Sequence, residues 1–199
     1  MSVGCFLGIR ASYTDQAQVA AGAYLAAINR ALRANGTPEY TDPPNPPNVY
    51  NGGLFGRSAL DHHSARCFAD LGERARADGG GSHLGLLAAN PYRVAFVPRD
   101  FEVPLPTDYS EVIAGEWLVL WVGSAPRLVG ELVSVAPLLG IPLEAARVSD
   151  AVARRINDFA PLHEGDDCSL AEDERTAWLV LYEGARLAVQ HDVALSLAG

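Results

Sequence analysis

The stretch His163–Leu197 constrains the fold most. An acidic loop, HEGDDCSLAEDE, runs directly into a long apolar segment and then a short apolar tail, VALSL. Within the loop, Ser169-Leu170-Ala171-Glu172 has the spacing of a capping box, so a helix should start near Leu170. From Ala177 to Val189, Trp178, Leu181, Ala185 and Ala188 share one face, while Leu179, Val180, Tyr182, Leu187 and Val189 occupy much of the rest. A helix that is apolar nearly all round belongs inside a core rather than on its surface. It is expected to be a central post, with Val193–Leu197 as a strand beside it. The fold class that follows is α+β: one globular domain over residues 1–199, with five or six helices around the buried C-terminal helix and a small sheet of short strands. A chain of 199 residues is long enough to bury a substantial core without disulfides or metals.

Earlier in the chain, Val3–Ile9 reads as a buried strand, and Ala17 to Leu32 shows helical spacing that Asn35-Gly36 terminates. Asn35–Gly56 is rich in Pro and Gly, which forbids continuous helix; its Tyr40, Tyr50, Leu54 and Phe55 argue for a loop wrapped onto the domain. Arg57–Ala77 resumes helix with a second capping box at Ser58–Asp61, and Arg66, Asp70 and Arg74 form a solvated ladder four residues apart. Gly79-Gly80-Gly81 is the candidate hinge. Tyr92–Val97 alternates like a strand; Glu116–Val122 fits either a buried strand or the opening of a longer helix, and the helix, running from Ser110, is favoured because only Gly115 interrupts it. Ser124 with Pro126, and Ser149, mark two more helix starts; Gly140 ends the first of these.

Charge is unevenly divided. Residues 1–100 hold nine Arg and eight Asp or Glu, whereas residues 101–199 hold six Arg and sixteen Asp or Glu, for a net charge of −9 overall. An acidic field of this kind repels nucleic-acid phosphate and anionic lipid and attracts basic groups. The expected partner is therefore a basic protein, with neither nucleic acid nor membrane as a target. Three cysteines at unrelated spacings, no signal-peptide pattern and no apolar run near the ~20 residues of a membrane span predict a soluble protein of a reducing cytoplasm.

Chemical motifs are sparse. Asp61-His62-His63 resembles the metal-binding triplet of the DHH phosphoesterases, and His191-Asp192 the dyad of the HD hydrolases. The first lacks an upstream Asp-x-Asp, and the second has no Asp after it. His63 and Cys67 have i,i+4 metal-ligand spacing, with His83 and Asp61 as conceivable companions, but Cys67 is equally explained as a core residue. No Gly-x-Ser-x-Gly elbow, Gly-x-Gly-x-x-Gly fingerprint or P-loop occurs. Glu183 and Arg186 interrupt the apolar helix three residues apart and are expected to pair.

These observations favour a non-catalytic protein-binding module without metal or cofactor, comparable in composition to acidic immunity or regulator proteins. Glu164, Asp166, Asp167, Asp173 and Glu174 are the candidate recognition residues, set beside the start of the central helix. The competing class is a small metal- or thiol-dependent hydrolase using His62, His63, Cys67 or His83.

Overall fold

A computed structural model of the chain describes residues 3–10, 18–43, 59–60, 62–77, 82–89, 93–113, 116–158, 162 and 168–198. The last strand, β6 (Leu195–Ala198), lies in the middle of the sheet. Six strands are arranged in the order β2-β1-β6-β3-β5-β4, where β1 is Val3–Leu7, β2 Ala59–Leu60, β3 Arg93–Val97, β4 Leu105–Ile113 and β5 Glu116–Ser124. Only β3 and β5 run parallel; every other pairing is antiparallel. Register places Leu197 between Cys5 and Val94, and Leu195 between Leu7 and Phe96. Side chains two apart on a strand share a face, so these two rows point together into the larger of two apolar clusters.

That face is covered by α2 (His62–Ala77), α4 (Ala125–Val135) and the long α6 (Cys168–His191), with α3 (Leu86–Ala89) beside α2 and α5 (Asp150–Asn157) against α6. α6 is the expected buried post: Ala177 through Tyr182 are all buried. Trp178 stacks on Tyr182 with ring centroids 4.9 Å apart and donates its indole N–H to the carbonyl of Leu132 at 2.8 Å. Gly184 lets the helix sit directly on β6, since a Cβ there would come within 2.9 Å of Leu195 Cδ1.

The opposite face carries the second cluster, in which Tyr24, Ile28 and Leu32 of α1 (Gln18–Ala34) meet Ala95, Val97, Leu120 and Val122 of the sheet. Arg30 of α1 also forks onto Asp108 of β4 through Nε and Nη2, at 2.8 and 2.7 Å. The α+β class and the six helices among the described residues agree with expectation.

Several local expectations are corrected. Leu105–Ile113 and Glu116–Ser124 are the antiparallel strands β4 and β5 rather than part of a helix: the apolar run of Trp, Val and Leu suits both periods, and pairing with β3 decides the matter. At the register shift between Pro106 and Ser110, Thr107 Oγ1 donates to the carbonyl of Leu120 at 2.8 Å, which satisfies an acceptor the ladder would have left open. Ala59–Leu60 is strand and α2 begins at His62, so the expected helix start near Ser58 is displaced; Ser58 and Asp61 themselves lie outside the described residues. α6 starts at Cys168, placing Ser169 inside the helix rather than at its cap. Ser124 and Ser149 do cap their helices, accepting from the amides of Arg127 and Val152. Gly36 and Gly140 take the left-handed conformation (φ 72° and 64°) at the expected stops.

Of the expected wrapped loop, residues 35–43 are described, and Tyr40 is fully buried as anticipated; Tyr50, Leu54, Phe55 and the Gly79–Gly81 joint lie outside the described residues. Tyr40 and Asp42 anchor the loop. Asp42 Oδ1 accepts from the Tyr40 hydroxyl at 2.6 Å and from the Ile9 amide at 2.9 Å, and Oδ2 accepts from the Arg10 amide at 2.9 Å. The Tyr40 oxygen in turn accepts from the Ala194 amide at 2.8 Å, at the entry to β6. Burial, reinforced by the bond to Asp42, pushes the Tyr40 phenol above its ordinary range, so it stays a donor. This network ties the end of β1, the loop and the start of β6 together. Asp42→Ala strips the acceptor from buried donors and should destabilise the protein by about 3 kcal/mol or more. Tyr40→Phe orphans only the Ala194 amide and should cost about 1–2 kcal/mol. Equilibrium denaturation of the two variants checks the order and the magnitudes.

Candidate partner-binding surface

The acidic part of the chain begins where the α4 rod ends. A 3-10 turn, Ala136–Leu139, follows α4 and stops at Gly140; the chain then makes a tight turn at Glu144–Arg147 before α5. Glu144 and Arg147 exchange backbone bonds in both directions, at 2.8 and 3.0 Å. The two residues between them, Ala145 and Ala146, have φ of 50° and 61°. This left-handed pair is the two-residue hairpin geometry that Asn-Gly adopts without strain, and alanine holds it at a cost of roughly 1 kcal/mol or more per residue. α5 buries Ala153 and Ile156 and leaves Asp150 and its C-cap Asp158 exposed. Among the described residues, Glu144, Asp150 and Asp158 are exposed carboxylates outside any ion pair, although Arg147, Arg154 and Arg155 share this surface.

Of the residues singled out from sequence, Glu164, Asp166 and Asp167 lie outside the described residues. Asp173 is on α6, where only its backbone is described. Glu174 pairs with Arg74 of α2 at 3.1 Å, and its side chain is only 16% exposed. It joins two helices as well as carrying charge, and Arg74 leaves the expected surface ladder to reach it; Arg66 and Asp70 remain a loose exposed pair at 3.9 Å. Glu183 and Arg186 form the expected ion pair, with Arg186 Nε and Nη2 donating to Glu183 Oε2 at 3.0 and 2.7 Å.

Among the described residues, those of the hydrolase alternative are not grouped into a site. Cys67 is buried in the larger apolar cluster, and the side chains of His62 and His63 lie outside the described set. Among the described residues no three His, Cys, Asp or Glu side chains are grouped to hold a metal. His83 is buried, and both its ring nitrogens are occupied. Nδ1 accepts from the Ser124 amide at 3.0 Å, while Nε2 lies 3.1 Å from the carbonyls of both Phe101 and Glu102. An amide N–H can only donate, so Nδ1 carries the lone pair and Nε2 the proton: the ring is neutral. Burial lowers its pKa below the ordinary value, against the pull of Glu131 and the two carbonyls. His83 thus fastens the loop after β3 to the junction of β5 and α4. Gly123 makes the approach possible, as a Cβ there would overlap the Phe96 ring and come within 3.5 Å of His83 Nδ1.

Beside this histidine is a cavity of about 410 Å³, bounded by the turn at Ser82–His83, the loop at Glu102 and the outward face of α4 from Pro126 to Val135. Glu131 spans its wall, Oε1 accepting from the His83 amide at 3.1 Å and Oε2 from the Leu84 amide at 2.6 Å. Arg127 on the rim is held by Asp100 at 2.6 Å. None of these residues was singled out as functional from sequence except His83. Glu131 sits three residues after Leu128 on the polar side of a recognisable amphipathic helix, but nothing local indicates that it reaches residues 83 and 84.

A family model described as putative DNA-mimic protein matches residues 68–197, more than half of the chain. The chain belongs to this family. No curated protein and no solved structure matches it. The DNA-mimic match runs from α2 to β6 and so takes in the cavity, α5 and the whole acidic stretch, leaving out β1, α1 and β2. Membership agrees, at a coarse level, with a protein-binding role. It corrects the expected partner, a basic protein chosen by charge alone and unconnected with nucleic acid: DNA mimicry points to a DNA-binding protein. The physical reason is that the same acidic field that repels DNA resembles it to a protein that binds DNA. No helix among the described residues is long and apolar enough to cross a membrane.

Two outcomes test this geometry. The neutral fold of His83 binds fewer protons than the unfolded chain, whose histidine titrates at about 6.5. Its contribution to stability is therefore complete above that value and is lost as pH falls through and below it. The stability difference between wild type and His83→Asn should shrink between about pH 7.5 and 5, as chemical denaturation across that range would show. Separately, Ala145→Asn with Ala146→Gly should raise stability by about 1 kcal/mol by relieving the left-handed strain; a fall in melting temperature would contradict it.

Proposed function

We propose that this protein occupies the DNA-contacting face of a DNA-binding protein, offering carboxylates where that protein meets phosphates, and that it acts by binding without catalysis. One observation carries the reading: the family match coincides with the charge. Residues 68–197 contain twenty Asp and Glu against ten Arg, while the remainder has four against five. Duplex DNA is recognised largely through a dense array of single negative charges, and carboxylates, like phosphates, accept the paired N–H groups of arginine.

Among the described residues, Glu144, Asp150 and Asp158 supply exposed charge, and Glu174 contributes while bracing α2; Glu164, Asp166, Asp167 and Asp173 add four more carboxylates to the same stretch of sequence. Between Glu144 and Glu174 there are nine Asp and Glu and three Arg, so the segment keeps a strong negative balance despite Arg147, Arg154 and Arg155. Cys5 and Cys67 are buried, and burial raises the Cys5 thiol pKa to about 12, which suits a cytoplasmic protein.

The test uses the full chain as immobilised bait in an extract of its native source. The partner that it retains should be released by excess random-sequence duplex DNA and by rising salt, because both compete for the same phosphate-binding groups. Replacing Glu144, Asp158, Glu164, Asp166 and Asp167 by Gln or Asn should weaken retention by about tenfold or more through lost charge pairing and steering, with melting temperature unchanged. Retention that withstands both the DNA competitor and the five substitutions would refute the assignment.

A further inference from the structure

The cavity beside His83 contains more acceptor capacity than the fold consumes. Glu131 accepts one backbone amide on each oxygen; a carboxylate has about four acceptor positions, so roughly half remain. Glu102 is exposed and outside any ion pair among the described residues, and its own carbonyl is pinned by His83 and by Ser82 Oγ at 3.4 Å. The segment bearing this carboxylate is therefore anchored at the cavity edge. Ser134 adds a hydroxyl, and Ala75, Pro126 and Val135 supply apolar wall.

The charges select the sign of a ligand. Arg127 is the one cation among the described lining residues, and Asp100 offsets it; His83 is neutral because its Nδ1 accepts an amide. The start of α4 offers little to an anion, as the Arg127 amide is already bonded to Ser124 Oγ and Pro126 has no N–H. Two carboxylates beside a short apolar wall suit a planar cation with several donors and an aliphatic stem, which is the form of an arginine side chain.

We propose that this cavity receives one arginine side chain of the partner, with Glu102 and Glu131 accepting the guanidinium N–H groups and the apolar wall covering its methylenes. The identity of the partner rests on the DNA-mimic reading, since DNA-binding faces are rich in arginine; the cation chemistry rests on the cavity itself. The cavity runs along α4 from Pro126 to Val135, so an arginine held there would lie beside the helix that leads, through the 3-10 turn at Ala136–Leu139, toward the Glu144 turn.

The probe is N-acetyl-arginine N-methylamide, with the neutral citrulline analogue as control. Followed by amide resonances, the arginine compound should cause saturable millimolar-range shifts at Ser82, Gly130, Glu131 and Ser134, whereas the citrulline compound should not. Glu102→Gln, which leaves both amide bonds of Glu131 intact, should weaken that binding about tenfold, the effect of losing one charge-assisted hydrogen bond. Absence of saturable shifts, equal shifts with citrulline, or no effect of Glu102→Gln would each overturn the assignment. The two proposals fail separately: arginine binding alongside a partner that DNA cannot displace would leave the cavity standing and remove the mimicry, and DNA-sensitive capture without arginine binding would do the reverse.

Discussion

The placement of the final strand between the first and the third governs the architecture. A central strand must have its backbone groups met on both sides, since an unpaired buried amide or carbonyl costs as much as a lost hydrogen bond. β6 meets this through β1 on one side and β3 on the other, and its entry is closed by two further bonds: the Ala194 amide to Tyr40 Oη and the Ala194 carbonyl from the Gly8 amide. The sheet is thus completed only when the C-terminal tail arrives, and α6 must then turn back over it. Trp178 and Arg175 bind the carbonyls of Leu132 and Leu139, which fixes the α4 rod and its 3-10 extension against that helix.

The acidic residues divide between two kinds of work. Asp42 and Glu183 are buried and Glu131 is half-buried, and each is engaged: Asp42 and Glu131 on backbone amides, Glu183 on a neighbouring arginine. Buried charge survives only with such partners, and no buried side-chain polar atom among the described residues lacks one. Glu144, Asp150 and Asp158 have no such task and remain in water, where exposed carboxylates contribute little to folding. A surface can then retain a net negative charge at little cost to the fold beneath it, which is the physical condition for presenting an array of anionic groups to another protein.

Legibility in the sequence followed the range of the interactions. Helix caps at Ser124 and Ser149, stops at Gly36 and Gly140, the buried face of α1 and the Glu183–Arg186 pair all depend on residues within a few positions of one another, and each was readable. The β4–β5 hairpin was not, because a run such as EWLVLWV satisfies helix and strand equally until β3 pairs with it. Cys67 and His83 looked like chemistry by residue type, yet the first packs among leucines and the second spends both nitrogens on backbone. Conversely, Glu131 and Glu102 carried no motif at all. Glu131 gains its place from an α4 side chain reaching the amides of a turn more than forty residues earlier, and Glu102 from its carbonyl bond to His83.

By itself the sequence determined the buried character of α6, the α+β class and the concentration of negative charge after residue 100, since apolar surface, helix signals and charge sum along the chain whatever its path. Tertiary structure alone decided that β6 becomes the central strand, that Glu174 turns inward to Arg74 while Glu144 and Asp158 face solvent, and that Glu102 and Glu131 line one cavity. Those outcomes depend on which distant groups compete for the same hydrogen-bond partners and the same space, and that competition exists only once the chain has folded.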